Sequence, residues 1–578
     1  MAGDNIDDSL DGFLSPLIAD TSRLYRLALQ FSITYRQLAW DSSDQFLPTP
    51  ITTLPSGTET GRFLAIDVGG TNLRVGFIEL HGDKSSSTSV RDVNVCNGSE
   101  ESRNGCHSPS ASSISRKYEK SWPIGEHLKM DKAEDLFTWI GDCIAEVVRE
   151  CVDSESDVES SGNFAEERRL AMGITFSFPM IQTSLAEATL MPMGKGFAIT
   201  SNLNLGKLLL AGYERHTRQV SRNGESMSQL DTIRSELTAL PRLHIAAITN
   251  DTVATLASLA YRASSLPNRR VAMGLIVGTG TNATIPLNIR HLSPSKRASI
   301  EVLQEEDEQN IDVVINTEWT IKGTAPPLRR LDFITKWDAL LDEASEAPGF
   351  QPFEYMTAGR YMGEIVRLVM LDVFVKLLGW NQNDLPEIIR RRNTLSTAFL
   401  ATTVAKSIPD RSLVLCFEDS FPPPKQSKWI WSEKAVSVIR QIALFVQARS
   451  ARLIAAAIVG LLAFAGDIQL EELAGALADK RCELNATKQT GPPRALESPS
   501  SGELIVAYTG GTISHYPRFL EDCQQCLDEL LDISCQRPGV EYKRIVLCEA
   551  RDGGIIGAGV LAGTAYIRNI DHQPSCEI

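Results

Sequence analysis

Short apolar runs alternate with amphipathic helical stretches along this chain, and a hydrophobic period that switches between about 2 and about 3.6 specifies α/β architecture. The strand expectations are 63–67 (FLAID), 170–177 (LAMGITFS), 244–249 (HIAAIT), 272–277 (AMGLIV), 504–508 (LIVAY) and 544–548 (RIVLC). Several end in or beside Gly, Asp or Asn. In open α/β sheets ligands bind beyond the carboxyl ends of the strands, so these endings are where chemistry is to be sought. At 578 residues the chain exceeds the roughly 250–300 residues at which one hydrophobic core stops growing, so two lobes are expected.

Charge and patterning exclude several classes. A net charge of -15 repels phosphate backbones and anionic lipid, with no sustained Lys/Arg stripe to reverse this locally, so nucleic acid is not an expected partner. The acidic start MAGDNIDDSLDGF lacks the basic region and apolar run of a signal peptide, giving a cytosolic expectation that leaves mitochondrial-surface or nuclear association open. The apolar run 453–466 (LIAAAIVGLLAFAG) is 14 residues against the roughly 20 of a membrane span, and reads as a buried helix. Eleven Cys without a secretory signal suggest reduced thiols. Cys523 and Cys526 form a CxxC on a helical pattern with no second pair to complete a zinc set, so packing is the expected role. Four polar segments, 84–115, 153–163, 217–235 and 488–502, read as surface insertions.

Two glycine-rich turns follow strands at separated points: DVGGTNLR (67–74) and GTGTN (278–282). Glycine lets backbone N–H groups approach phosphate oxygens, and Thr hydroxyls add donors, so together the turns could clamp a polyphosphate; each alone is equally a plain turn. No Walker A sequence is present. Between them Asn250-Asp251-Thr252 joins HIAAIT to the helical run VATLASLAY. An Asp there is either a helix N-cap or a general base for an attacking hydroxyl. Ser177 in FSFP, Lys195 in GKGF, Asn282, Glu318 in NTEW and Glu354 in FEYM supply polar groups suited to sugar hydroxyls, each of which must regain a hydrogen bond on leaving water.

In this order and context the sequence resembles the hexokinase family over nearly its whole length. FLPTPITTLPSGTETGRFLAIDVGGTNLRVGFIEL, TFSFP, KGF, TNDTVATL, GTGTNA, INTEW and FEYMTAGRYMGEIVR follow in family order. The resemblance implies the actin-like ATPase (ribonuclease H-like) fold, with two lobes around a closing cleft. It implies a lead-in at 1–60, a small lobe at 61–198 and a large lobe at 199–578 whose last helix returns to the small lobe. It makes Asp251 the catalytic base and Lys195 a contact to sugar and transferring phosphate. Ser177, Asn250, Asn282, Glu318 and Glu354 become sugar ligands. Asp67, Gly69, Gly70, Thr71, Asn72 and Arg74 would face the phosphates of ATP and its Mg²⁺, the metal arriving with the nucleotide. Gly278, Thr279 and Gly280 would form the second phosphate turn, and Gly510, Gly511 and Thr512 belong to a segment, 509–517, similar to the adenosine-side motif.

The implied reaction is transfer of the γ-phosphoryl of ATP to the 6-hydroxyl of glucose, fructose or mannose, feeding glycolysis. The departures from the family pattern carry two alternatives. Met193-Gly194-Lys195-Gly196-Phe197 lacks the Thr the family places before the Lys, and ATIPLNI after Asn282 replaces an aromatic and a Glu; both motivate an N-acetylglucosamine kinase. NTEW runs into TIKG rather than a Gly-rich continuation, RDGGIIGAG (551–559) lacks Ser and Lys between its glycines, and Gly511 replaces a Ser. These changes, with the polar insertions as surfaces for regulatory partners, motivate a sugar sensor with little turnover.

Overall fold

Each expected strand forms, with further strands between them: β1 (Leu47–Pro48), β2 (Thr60–Val68), β3 (Asn72–His81), β4 (Ile114–Pro123), β5 (Arg169–Phe176), β6 (Met180–Ser184), β7 (Glu187–Leu190), β8 (Leu203–Asn204), β9 (Arg242–Thr249), β10 (Arg269–Val277), β11 (Thr281–Asn288), β12 (Asp312–Asn316), β13 (Glu503–Thr509) and β14 (Arg544–Glu549). The structure, a computed structural model, describes residues 4–82, 113–125, 127–128, 133–156, 169–178, 180–190, 203–217, 240–263, 268–300, 311–470, 502–534 and 543–571.

Two sheets share one topology. The first runs β4-β3-β2-β5-β9 and the second β12-β11-β10-β13-β14, with β1 added beyond β12. In each, the central strand (β2 or β10) pairs antiparallel with the strand that follows it and parallel with the fourth, and the fifth lies parallel to the fourth. The parallel strands are continuous apolar runs such as Leu64–Ile66 and Leu504–Ala507, fully buried, as strands covered on both faces must be.

The fifth strand of the first sheet moves the lobe boundary set at 198. β9 pairs with β5, and the helix Leu205–Glu214 contributes Leu205, Leu209 and Tyr213 to the same core as Leu136, Ile140 and Ile144 of the helix Ala133–Ser156. The first sheet therefore closes only at Thr249. Without β9 the edge of β5, buried from Met172 to Phe176, would lack hydrogen-bond partners.

The helices that follow the fifth strands change sides. Asp251–Ala263, after β9, packs on β10 and β13 of the second sheet; Gly553–Asp571, after β14, packs on β2, β3, β5 and β9 of the first; and the two helices pack on each other. Their close packing on each other and on β5 needs glycine. A Cβ on Gly557 would lie 2.1 Å from the Ala254 carbonyl oxygen, and one on Gly173 would lie 1.9 Å from that of Ala558.

The N-terminal helices, Asp4–Leu14 and Thr21–Asp41, lay Leu10, Leu14, Leu24, Phe31 and Tyr35 into the large core of the second sheet. The apolar run 453–466 is the second half of a 33-residue helix, Glu433–Ala465, capped by Ser432 and ended by Gly466 at φ 87°. By length and composition this helix could cross a membrane, but 78% of its most apolar window is buried inside the molecule; it packs against Thr21–Asp41 and Phe519–Ser534. Cys523 and Cys526 are buried on the latter, where burial pushes the Cys526 thiol up to about 12. The four polar segments lie outside the described residues except at their edges. There Ile114 and Ser115 already belong to β4, and 153–156 complete the helix Ala133–Ser156, so regular structure takes back residues that the sequence assigned to insertions.

Candidate active site

The carboxyl end of β2 delivers Asp67 into a nearly closed space. Its residue is 7% exposed, and a Cβ on Gly554, in the first turn of the helix Gly553–Asp571, would sit 2.5 Å from the carboxylate. The glycine-rich stretch 551–559, which departs from the family pattern, thus serves the close approach of this helix to β2. Burial lifts the Asp67 pKa to about 6; Arg74 opposes the rise, and Asp251, Asp552 and Glu119 add to it. Arg74 on β3 lies 3.1 Å from Asp67 and 2.8 Å from Asp552, which Arg116 on β4 also reaches at 2.8 Å. Asp552 holds φ at +55°, an uncommon conformation for a residue other than glycine, though one that Asp tolerates better than most. The rule that singled out Asp67 and Asp251, a carboxylate just beyond a strand end, would also have found Asp552.

At the end of β9 the N-cap question resolves onto the neighbouring residue. Asn250 Oδ1 accepts from the Thr252 N–H at 2.8 Å and from the Thr252 hydroxyl at 2.6 Å, while Asp251 is the first residue of the helix Asp251–Ala263. Capping is done by Asn250, so the Asp251 carboxylate is not the capping group. It lies close enough to Asp67 for each charge to act on the other. Thr252 abuts the second sheet: a Cβ on Gly274 of β10 would meet the Thr252 carbonyl oxygen at 2.4 Å and the Thr284 methyl of β11 at 2.8 Å.

On that second sheet a polar cluster forms across β11 and β12. The Asn282 amide donates to Asn316 Oδ1 at 2.8 Å and to Glu318 Oε1 at 3.2 Å, and the Asn316 amide donates to the same Glu318 oxygen at 2.9 Å. Asn316 was not singled out from the sequence; its position at the last residue of β12, two before Glu318, was the available signal. Glu318 sits at φ +44°, and Gln45 holds its carbonyl oxygen at 2.9 Å, so a strained backbone is fixed from behind. Glu354, 6% exposed, lies on the short helix Pro352–Thr357 and accepts from the Thr320 hydroxyl at 3.2 Å.

The nucleotide-side candidates divide by chemistry. Gly69 closes the β2–β3 turn by donating to the Asn72 carbonyl at 2.9 Å, and Gly70, Thr71 and Asn72 are exposed at its tip. Gly278 and Gly280 close the β10–β11 turn with the same bond length, Gly278 N–H to Gly280 O, and Thr279 is exposed. The turn is pinned from outside: Gly278 O accepts from Gly359 N–H at 2.8 Å and from the Thr512 hydroxyl at 3.0 Å. Thr512 therefore turns inward and ties the two turns together. Gly510 stands at φ +123°, and a Cβ there would meet the Val277 carbonyl at 2.4 Å, so only glycine fits. Ser177, half-buried, follows β5 and donates its N–H to Val68 O at 3.0 Å. Lys195 and the altered motif around it, 193–197, lie outside the described residues.

Comparisons with known proteins bear on the family and the fold. The chain matches the hexokinase family over residues 9–261 and again over 272–564. It is 30% identical to the hexokinase of Schistosoma mansoni over 375 residues, which span 65% of this chain and 64% of that protein. It is 27% identical to Hexokinase-1 of Schizosaccharomyces pombe over 564 residues, 96% of this chain and 90% of that one. A solved structure of the Schistosoma mansoni hexokinase complexed with glucose shares the fold, with a TM-score of 0.65 at 23% identity over 97% of this chain and 99% of that chain. The paired sheets and exchanged helices are those of the actin-like ATPase fold, and the chain belongs to the hexokinase family of sugar kinases.

Proposed function

We propose that this protein transfers the γ-phosphoryl group of Mg·ATP to the 6-hydroxyl of a hexose, with glucose the first substrate to try and Asp251 as the base. The observation that carries the assignment of the base is the capping of the helix Asp251–Ala263 by Asn250. Helix capping is thus not the role of the Asp251 carboxylate, which lies within electrostatic reach of the buried Asp67.

In this reading the Asn282–Asn316–Glu318 cluster and Glu354 accept and donate to the sugar hydroxyls. Three residues already in mutual hydrogen bonds present fixed dipoles, so little ordering cost remains when a sugar arrives. Asn250 spends its carboxamide oxygen on Thr252, so it would meet a hydroxyl through its amide N–H groups. Lys195 and Ser177 complete the sugar side on the strength of the family pattern.

The phosphates would lie against the β2–β3 and β10–β11 turns, whose backbone N–H groups act as donors, and the buried Asp67 with Arg74 suits a metal-bearing polyphosphate. The Mg²⁺ that ATP carries would neutralise charge on the transferring group, and Asp67, ionised beside it, would help to hold it. Asp251 takes the proton of the 6-hydroxyl as that oxygen attacks the γ-phosphorus, and ADP leaves.

The test is ADP release by the purified chain with Mg·ATP against glucose, fructose, mannose and N-acetylglucosamine. Turnover with glucose near the ordinary enzyme scale of about 10 s⁻¹ supports the reading. A higher kcat/KM for N-acetylglucosamine would move the substrate to the acetamido sugar. Sugar binding without turnover would contradict the kinase assignment.

A further inference from the structure

At the end of the second sheet opposite the carboxyl end of β10, a cavity of about 390 Å³ is lined by Arg36, Gln37, Trp40 and Asp41 from the last turns of the helix Thr21–Asp41 and by Arg290 and His291 from the turn after β11. Its size falls in the range of roughly 300–1,000 Å³ typical of small-molecule sites.

The lining has an unusual balance for a chain of net charge -15. Arg36 and Arg290 are both exposed, and neither forms a salt bridge with a carboxylate among the described residues. Both act on His291, whose pKa is lowered first by burial and then by Arg290 and Arg36, with Asp312 opposing. His291 is held in place edge-on to Phe464, with ring centroids 5.5 Å apart. The one carboxylate in the lining, Asp41, acts on the ammonium of Lys296, which is itself fixed on the carbonyls of Leu38, Gln45 and Phe46. Beside these cations Trp40 leaves 47% of its surface in water. With Ile33, 41% exposed, it forms an i, i+7 pair on the outer stripe of a helix whose other face is core.

Two exposed arginines that form no salt bridge among the described residues, with a large uncovered indole beside them in one concavity, complement a ligand with a flat apolar face and an anionic end. We propose that this cavity binds a small aromatic phosphate, its ring on Trp40 and its phosphate on Arg36 and Arg290, at a site separate from the strand-end chemistry. Arginine matches phosphate oxygens in a forked geometry, and the indole supplies area that inorganic phosphate cannot use.

Phenyl phosphate is the probe, titrated calorimetrically into the full chain and into Arg36→Ala, Arg290→Ala and Trp40→Ala. The three residues are exposed, and matched melting temperatures confirm that the variants fold. The expected result is saturable binding of one probe per chain, weakened about tenfold by each substitution, with inorganic phosphate and phenol each binding more weakly than the probe. Absence of saturation in the millimolar range, or binding that all three substitutions leave unchanged, overturns the proposal.

Discussion

The two five-stranded arrays have the same strand order and the same exchanged helices, yet their carboxyl ends carry opposite chemistry. The first ends in side chains: Asp67 after β2's apolar run, Ser177 after β5, Asn250 and Asp251 after β9. The second ends in backbone at the equivalent places: Gly278 after β10, then Gly510 and Gly511 after β13. One topology thus supplies carboxylates at the strand ends of the first sheet and glycine turns at the ends of β10 and β13 in the second, where the side chains of Asn282, Asn316 and Glu318 gather beside them. Asp552, beyond the second array's last strand, does not serve its own sheet. It reaches back to Arg74 and Arg116 of the first, so the charged end of the first sheet is braced by a residue from the other half.

The sharpest way to break this division is at Gly510. Gly510→Ala forces a Cβ against the Val277 carbonyl at a positive φ, with an expected cost of about 3 kcal/mol or more, read as a lower denaturation midpoint. The surviving folded protein should show a raised KM for ATP with the KM for glucose nearly unchanged. A defect confined to glucose would contradict the backbone role of these turns.

Next is the pH behaviour of Asp67. Its folded pKa of about 6 lies above the usual 3.8, so the folded state holds this proton more tightly than the unfolded chain. The stabilising contribution is complete below about pH 4 and is lost as pH rises through about 6. Asp67→Asn should therefore be more stable than the parent at pH 8, by up to about 3 kcal/mol, with the gain vanishing near pH 4. Guanidinium melts at both pH values check this, and a gain of equal size at each would remove the titration as its cause.

Arg74→Ala should cost about 2 kcal/mol at pH 8, because it leaves Asp67 buried beside Asp251 and Asp552 without its counter-charge. The loss should shrink at pH 4 as Asp67 takes up a proton. The smallest effect is expected at Gln45, whose amide holds the Glu318 carbonyl. Gln45→Ala should cost about 1 kcal/mol and raise the KM for sugar several-fold, with little change in kcat. A change in kcat alone would detach Gln45 from sugar binding.

Much of this comparison was legible in the sequence. Strand ends carry their signal locally, because an apolar run followed by Gly, Asp or Asn is a local pattern, and the paired turns at 67–74 and 278–282 do occupy equivalent places in the two arrays. The lobe boundary was not legible, since β9 joins β5 across more than sixty residues by pairing alone. The sequence offered Asp251 as the cap, and only the geometry shows that Asn250 is the side chain that accepts from Thr252. The glycines of 553–559 stood out in the sequence only as a departure from the family pattern, because sequence cannot distinguish glycine used for a turn from glycine used for close packing on Asp67 and Ala254. That the Thr512 hydroxyl donates to Gly278 O was likewise not legible, since the sequence placed Thr512 only within a segment similar to the adenosine-side motif.

The central claim is that Asp251 is the base, and Asp251→Ala tests it most directly when turnover and sugar binding are measured on the same preparation. Sugar-dependent ADP release should fall by about 10²–10⁴-fold, while glucose still raises the melting temperature as it does for the parent. A variant that keeps turnover within about tenfold of the parent would show that the proton goes elsewhere and that the account of this site is wrong.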